Sequence, residues 1–144
     1  MNGTSVISGG SPGSATSPWA IVGQRDFNGD GFSDILWRNG TTGELVVWLL
    51  NNNASAIGGG SLGSAASPWM IAGTGDFNGD GFADILWYNS STGRAVIWLV
   101  SAAIDNMNVW HVSVIAGGSP GSAASPWAIA GTGDFNGDGM TDIL

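Results

Sequence analysis

The sequence predicts an all-β fold made of short strands and tight turns. Of the 144 residues, 25 are Gly and 8 are Trp, whereas charged residues make up only 10%. Because Gly destabilises helices and the Lys and Glu residues that favour them are scarce, a helical bundle is disfavoured. Hydrophobic residues make up 43% of the chain, which is enough for a packed core, and the length suits one domain.

A repeated segment dominates the chain. Its three copies are SPWAIVGQRDFNGDGFSDILW at 17–37, SPWMIAGTGDFNGDGFADILW at 67–87 and SPWAIAGTGDFNGDGMTDIL at 125–144. Each copy follows a Gly-rich segment that is typical of a turn, at 9–13, 59–63 and 117–121. The second interval between copies is longer because of an eight-residue insertion within Ser101–His111. Self-similarity at this period predicts a repeat architecture.

The second copy and the residues that follow it contain four predicted strands. They are Trp69–Thr74, Asp84–Tyr88, Ala95–Val100 and Ser113–Ile115. Apolar runs of about five residues, bounded by Gly, Asn, Ser and Pro, are typical of strands and too short for helices. Four antiparallel strands in a repeat of this length predict the blades of a β-propeller.

The predicted organisation is two complete blades, 17–66 and 67–124, with partial blades at both ends. Residues 1–16 would supply a fourth strand, Ser5–Ile7, and a Gly-rich turn, whereas residues 125–144 would supply a first and a second strand. A propeller needs about four to eight blades to close. The incomplete ends therefore predict self-association, or a segment of a longer propeller.

An acidic loop of the pattern D-F-N-G-D-G-x-x-D occurs in every copy. Side-chain oxygens at alternate positions, a Gly at position 6 and a carbonyl at position 7 suit a hard cation. Three carboxylates and a carboxamide favour Ca²⁺ over zinc or copper, and Mg²⁺ prefers to retain several waters. The predicted ligands of the middle loop are Asp76, Asn78, Asp80, the carbonyl of Phe82, and Asp84.

Two other interpretations of the loop are disfavoured. An EF-hand needs a Glu at position 12, where Trp37 and Trp87 stand instead. A plain turn needs a Gly and one Asx residue, not three carboxylates that repel one another. Nine of the eleven acidic residues lie in the three loops, and the formal net charge is -8. The sequence therefore predicts about three Ca²⁺ ions per chain, and no basic surface for nucleic acid.

These residues resemble the FG-GAP or VCBS-type calcium-binding repeat of β-propellers. Such repeats occur in integrin α-subunits, in secreted bacterial proteins and in fungal lectins of the Psathyrella type. The Phe-Gly and Gly-Ala-Pro motifs of the integrin repeats are missing from this sequence. The sequence is therefore more similar to the bacterial and fungal branches of the family. The resemblance covers nearly the whole chain and implies two further ligand sets: Asp26, Asn28, Asp30, the Phe32 carbonyl and Asp34; Asp134, Asn136, Asp138, the Met140 carbonyl and Asp142.

The resemblance implies an extracellular or cell-surface module that binds carbohydrate, as a lectin does, or has an adhesive role. The alternative is a structural or protein-binding repeat array with no small-molecule site. The N-terminal residues do not form a signal peptide, so export would depend on sequence outside this chain. There is no Cys, which excludes disulfides, and no stretch approaches the length of a membrane span.

Trp110 and His111 are the candidate ligand-binding residues, because they lie in the insertion and have no counterparts in the other repeats. The alternative is a strand extension that covers an edge of the sheet. The recurring Trp residues are expected to fill the space between blades. His111 is the only His and there is no G-x-S-x-G elbow, so we expect no enzymatic activity.

Overall fold

A computed structural model describes residues 11–144, which contain strands and turns but no helix. It follows that no helix in this part of the chain has the length and apolar character needed to cross a bilayer. The strands are β1 (Trp19–Arg25), β2 (Asp34–Asn39), β3 (Glu44–Leu50), β4 (Ala56–Ser64), β5 (Trp69–Gly75), β6 (Asp84–Asn89), β7 (Arg94–Ile104), β8 (Trp110–Ser122), β9 (Thr132–Gly133) and β10 (Asp142–Ile143).

The strands form two four-stranded units and part of a third. Eight of them share a sheet in the order β1-β2-β3-β4-β8-β7-β6-β5, in which β1 to β4 pair antiparallel in succession, as do β5 to β8. Unit 1 (β1–β4) and unit 2 (β5–β8) are joined within this sheet by a single parallel bridge, Gly58–Trp110. Unit 3 is the two-stranded sheet of β9 and β10. This arrangement confirms the predicted all-β fold of propeller-type blades.

The hydrophobic core lies between unit 1 and unit 2. Strand β3 alternates, with Leu45, Val47 and Leu49 buried, as expected of a strand that packs one face on a neighbour. By contrast, Ile85, Leu86 and Trp87 are buried in succession in β6. Both faces of β6 are covered because unit 2 lies between unit 1 and unit 3.

The Trp residues of the strands pack as pairs within each unit. The ring centroids of Trp37 and Trp48 are 5.1 Å apart, and those of Trp87 and Trp98 are 5.0 Å apart. Tilted aromatic pairs at this separation add to the stability given by burial. Trp87 is buried and the other three are partly buried, so these pairs fill space within units 1 and 2. The sequence predicts that the recurring Trp residues fill the space between blades, and Trp127, which exposes 74% of its surface, does not.

Two of the three Gly-rich segments differ from their prediction as turns, and the first, at 9–13, lies partly outside the described residues. Residues 59–63 lie in β4 and residues 117–121 lie in β8, so these glycines form the fourth strand of each unit. The physical reason is close approach of the backbone. A Cβ on Gly58 would collide with the carbonyl of Trp110, and a Cβ on Gly59, at φ +145°, would collide with the carbonyl of Val47. Glycine in a strand commonly marks such an approach.

The insertion lengthens one hairpin. Strand β7 has 11 residues where β3 has 7, and β8 has 13 where β4 has 9, so each side gains four residues. The predicted short strand Ser113–Ile115 is therefore part of a much longer one, β8. The other predicted terminal strand, Ser5–Ile7, lies outside the described residues.

Candidate functional site

Each acidic loop joins the first two strands of its unit, with the loop's first Asp as its anchor. In loop 1, Asp26 Oδ1 accepts hydrogen bonds from the N–H groups of Gly29 (2.7 Å) and Asp30 (3.2 Å), and Oδ2 accepts one from Gly31 (2.8 Å). Gly29 and Gly31 have φ of 74° and 88°, a region that favours glycine and turns these amides inward. Asp76 and Asp134 make the same contacts in their own loops.

The side chains at positions 3 and 5 are also tied together. Asn28 Nδ2 donates to Asp30 Oδ2 at 3.0 Å, and the N–H of Phe32 donates to Asp30 Oδ1 at 2.8 Å. The corresponding Asn–Asp distances are 2.9 Å in loop 2 and 3.0 Å in loop 3. Three of the predicted ligands in each loop are thus brought together by one repeated hydrogen-bond pattern.

The Asp at position 9 has a structural role that the sequence did not reveal. Asp34 is fully buried at the start of β2, where Oδ2 accepts from the N–H of Phe27 at 2.7 Å and Oδ1 accepts from the N–H of Leu50 at 2.9 Å. Asp84 makes the same two contacts in unit 2, with Phe77 and Val100. This carboxylate therefore joins the loop to the third strand. The available signal was the apolar Ile-Leu-Trp that follows it directly, which places it in a strand.

Within residues 11–144, no group of three or more acidic or His side chains is arranged to hold an ion. In loop 1, both oxygens of the position-9 carboxylate accept hydrogen bonds from backbone N–H groups, and the Asn at position 3 presents its nitrogen to the Asp at position 5. The chemistry of the donor set nevertheless fits calcium. Every side chain concerned offers hard oxygen, and each loop supplies three carboxylates.

Burial controls the electrostatics of the position-9 residues. Desolvation raises the pKa of Asp34 and of Asp84 from 3.8 to about 6, although the backbone N–H groups oppose the shift and the loop carboxylates add to it. In the exposed third loop, the N–H groups of Gly139 and Gly137 lower the pKa of Asp134. A buried carboxylate with a raised pKa favours a bound proton, or a cation in its place.

We expect the free energy of unfolding in EDTA to fall as the pH rises from about 4 to about 6. Over this range the unfolded chain releases the protons of Asp34 and Asp84 near 3.8, whereas the folded chain still holds them. Raising the pH then favours the unfolded state. Urea unfolding at several pH values measures the slope. The double variant Asp34→Asn/Asp84→Asn should flatten it, and an equally steep slope in that variant would contradict this origin.

The three loops meet at one end of the units. The N–H of Ala83 donates to the carbonyl of Asp26 at 2.9 Å, and the N–H of Thr141 donates to the carbonyl of Asp76 at 2.6 Å. Residues of all three loops line a polar groove of about 480 Å³ that includes Asp26, Asp76 and Asp134. Neighbouring loops are therefore coupled through their backbones.

The two residues predicted from the insertion lie on the extended hairpin. Trp110 is partly buried, packs against the core and pairs with Gly58. His111 is exposed, with Nε2 2.9 Å from Asp105 Oδ2, and this hydrogen bond lowers the pKa of Asp105. The hairpin tip also exposes Met107. Trp110 thus pairs the extended β8 with β4, and His111 contacts the Asp105 carboxylate that also accepts hydrogen bonds from the N–H groups of Met107 and Val109 in the turn.

Comparison with known proteins defines the class of repeat. The family model described as an FG-GAP-like repeat matches residues 26–87, from the first residue of loop 1 to the end of the second copy's Ile-Leu-Trp. Comparisons with curated proteins and with solved structures found no match. Together with the four-stranded units, the match supports the assignment of this segment to the FG-GAP family. The chain is a β-propeller-type repeat module.

Proposed function

We propose that the chain is a calcium-stabilised, extracellular binding module with no catalytic role. The observation that supports calcium most directly is the triple recurrence of one loop geometry. In each copy, left-handed glycines turn amides toward the first Asp, and the Asn and second Asp lie beside it. FG-GAP-like sequence over residues 26–87 supports the extracellular setting.

Calcium would act by relieving repulsion within each loop. Asp26, Asn28, Asp30, the Phe32 carbonyl and Asp34 would hold the ion in loop 1, and their counterparts would do so in the other loops. A bound cation would replace the Asn28–Asp30 hydrogen bond and the proton that burial favours on Asp34. Three divalent ions add six positive charges to a formal net charge of -8, leaving -2. Most of the chain's electrostatic repulsion would disappear.

Asp76→Ala and Asp80→Ala should each weaken calcium binding at the middle loop and lower the number of bound ions from three to two. Glu44→Ala is the matched control, because this exposed carboxylate accepts a hydrogen bond from Ser61 Oγ and lies outside the loops. Isothermal titration calorimetry gives both the stoichiometry and the affinity. A loss in Glu44→Ala as large as the loss in the Asp variants would show that the ligands are wrongly assigned.

We propose carbohydrate as the ligand of the module, bound in the grooves between units. One groove of about 440 Å³ is lined by Pro18, Arg38, Thr41 and Trp69, and its equivalent between units 2 and 3, of about 370 Å³, includes Tyr88 and Trp127. Both lie at the opposite end of the strands from the acidic loops. Aromatic and apolar side chains with a few polar groups are typical of small-molecule sites.

A glycan array, followed by titration of Trp fluorescence, tests the carbohydrate proposal. The variant Trp127→Ala removes an indole that is 74% exposed in the second groove, and His111→Ala tests the hairpin tip. Binding that is lost in either variant locates the ligand. A chain that binds calcium but no glycan would favour the other candidate, a structural or protein-binding array, which the exposed apolar side chains of units 1 and 3 support.

A further inference from the structure

The contact between consecutive units follows a fixed pattern, which recurs at the two junctions of the chain. At each junction, the carbonyl of the first loop residue accepts a hydrogen bond from the N–H at position 8 of the next loop: Ala83 to Asp26 and Thr141 to Asp76. The pattern needs an acceptor on one unit and a donor on the unit that follows. It therefore has a direction along the chain.

At the same junctions, glycines of one unit leave space for side chains of the next, and we call these glycine positions sockets. A Cβ built on Gly29 would lie 3.3 Å from the Phe82 ring, and one on Gly79 would lie 3.2 Å from Cγ of Met140. In the first strands, a Cβ on Gly23 would lie 3.5 Å from Cγ2 of Thr74, and one on Gly73 would lie 2.9 Å from Cγ2 of Thr132. Units 1 and 2 thus each offer two glycines, and the next unit fills the space above them with larger side chains.

The corresponding sockets of unit 3 are open. A Cβ on Gly131 or on Gly137 would meet nothing within 4 Å. The carbonyl of Asp134 accepts no backbone hydrogen bond of this type within residues 11–144. We call the surface formed by these three residues and Phe135 the trailing face. Phe135 exposes 60% of its surface, whereas its counterpart Phe27 is fully buried in the core, so this face is also apolar.

The opposite surface of unit 1 carries the complementary groups. Gln24, Phe32 and Ser33 are the counterparts of Thr74, Phe82 and Ala83, and all three are exposed. We call this surface the leading face. Phe32 exposes 43% of its surface, and within residues 11–144 no backbone hydrogen bond of the junction type uses the N–H of Ser33. The leading face therefore has the side chains that would fill the sockets of the trailing face and the N–H group that would donate to its carbonyl acceptor.

We propose that the trailing face of one chain binds the leading face of a second copy, head to tail. Phe32 of the second copy would fill the space above Gly137, Gln24 would lie over Gly131, and the Ser33 N–H would donate to the Asp134 carbonyl. The interface extends the internal junctions with the same residue types, and two copies would close a ring of about six units, within the usual range. It rests on the proposed propeller-type module and not on its calcium or glycan binding.

Light scattering over a range of concentrations, with calcium present, tests this contact in the full chain. We expect a concentration-dependent dimer, and Gly131→Val should raise its dissociation constant at least on the order of 10-fold, because the added side chain occupies the space that the second copy needs. The matched control is Gly118→Val, which also adds its side chain in open space but on β8, away from both faces. The control should associate as the original chain does.

A further variant acts from the other face. Gln24→Thr introduces the residue type, Thr, that lies over the glycine at both internal junctions. The dissociation constant of its dimer should therefore be no higher than that of the original chain. A monomer at every concentration, or equal weakening by Gly131→Val and Gly118→Val, would overturn the proposal. Calcium titration of each variant separates this result from the metal proposal, since a monomer that binds calcium contradicts only the head-to-tail contact.

Discussion

Removal of divalent cations with EDTA should lower the melting temperature of the chain markedly, and Ca²⁺ should restore it better than Mg²⁺. Each loop holds three carboxylates, and two of the three position-9 residues are buried with a raised pKa. An ion that binds only the folded state at about 100 times its dissociation constant stabilises that state by roughly 2.7 kcal/mol per site. For a chain of this size, one such site corresponds to a shift of about 10 °C.

We expect selectivity for Ca²⁺ from the donor set that we propose for each loop. The proposed set gives each loop five oxygen donors, and water would supply the remaining ligands. Ca²⁺ accepts six to eight oxygens in irregular geometry, whereas Mg²⁺ demands a small octahedron. Differential scanning calorimetry with each ion, together with elemental analysis, measures both effects. An unchanged melt in EDTA, in a sample that contains no calcium, would refute calcium stabilisation.

The sequence predicted the parts of the fold that depend on local pattern. The alternation of apolar and turn residues placed the first three strands of unit 2, and the pattern of the loop placed Asp26, Asn28 and Asp30 within one turn. Both predictions rest on contacts between residues near one another in the chain. Such contacts leave a signature in spacing and composition.

The sequence did not predict features that depend on distant backbone. The glycines at 59–63 form a strand because β3 and the extended β8 approach them closely, and nothing near them in the sequence indicates that approach. Similarly, the burial of Asp84 requires the N–H of Val100, 16 residues away, as a hydrogen-bond donor. Composition alone indicated a turn in the first case and a simple metal ligand in the second.

The position-9 carboxylate joins the stability of the loop to that of the sheet. In unit 2, Asp84 accepts from one N–H at the start of the loop and from another in β7, at 2.9 Å and 2.8 Å. A cation held by the loop would therefore also stabilise the position of the third strand. This dual role makes it necessary to separate the effect of the carboxylate from the effect of the ion.

Asp84→Ala should reduce the free energy of unfolding even in EDTA. The truncation leaves the N–H groups of Phe77 and Val100 without their acceptor, and each unsatisfied buried donor costs about 1–3 kcal/mol. Removing the carboxylate also removes the penalty of burying its charge, which is the cause of the raised pKa. We therefore expect a net loss of about 2 kcal/mol at pH 7, below the sum of the two donors.

Urea unfolding in EDTA measures this loss, with Asp142→Ala as the matched control. Asp142 occupies the same loop position, but unit 3 has no third strand within the described residues and the carboxylate accepts only from the N–H of Phe135, at 3.0 Å. Its truncation should cost much less, because solvent reaches the donor that it leaves. Asp84→Asn should fall between the two, since it keeps one acceptor oxygen. Equal and small losses in Asp84→Ala and Asp142→Ala would show that position 9 acts only through a bound ion.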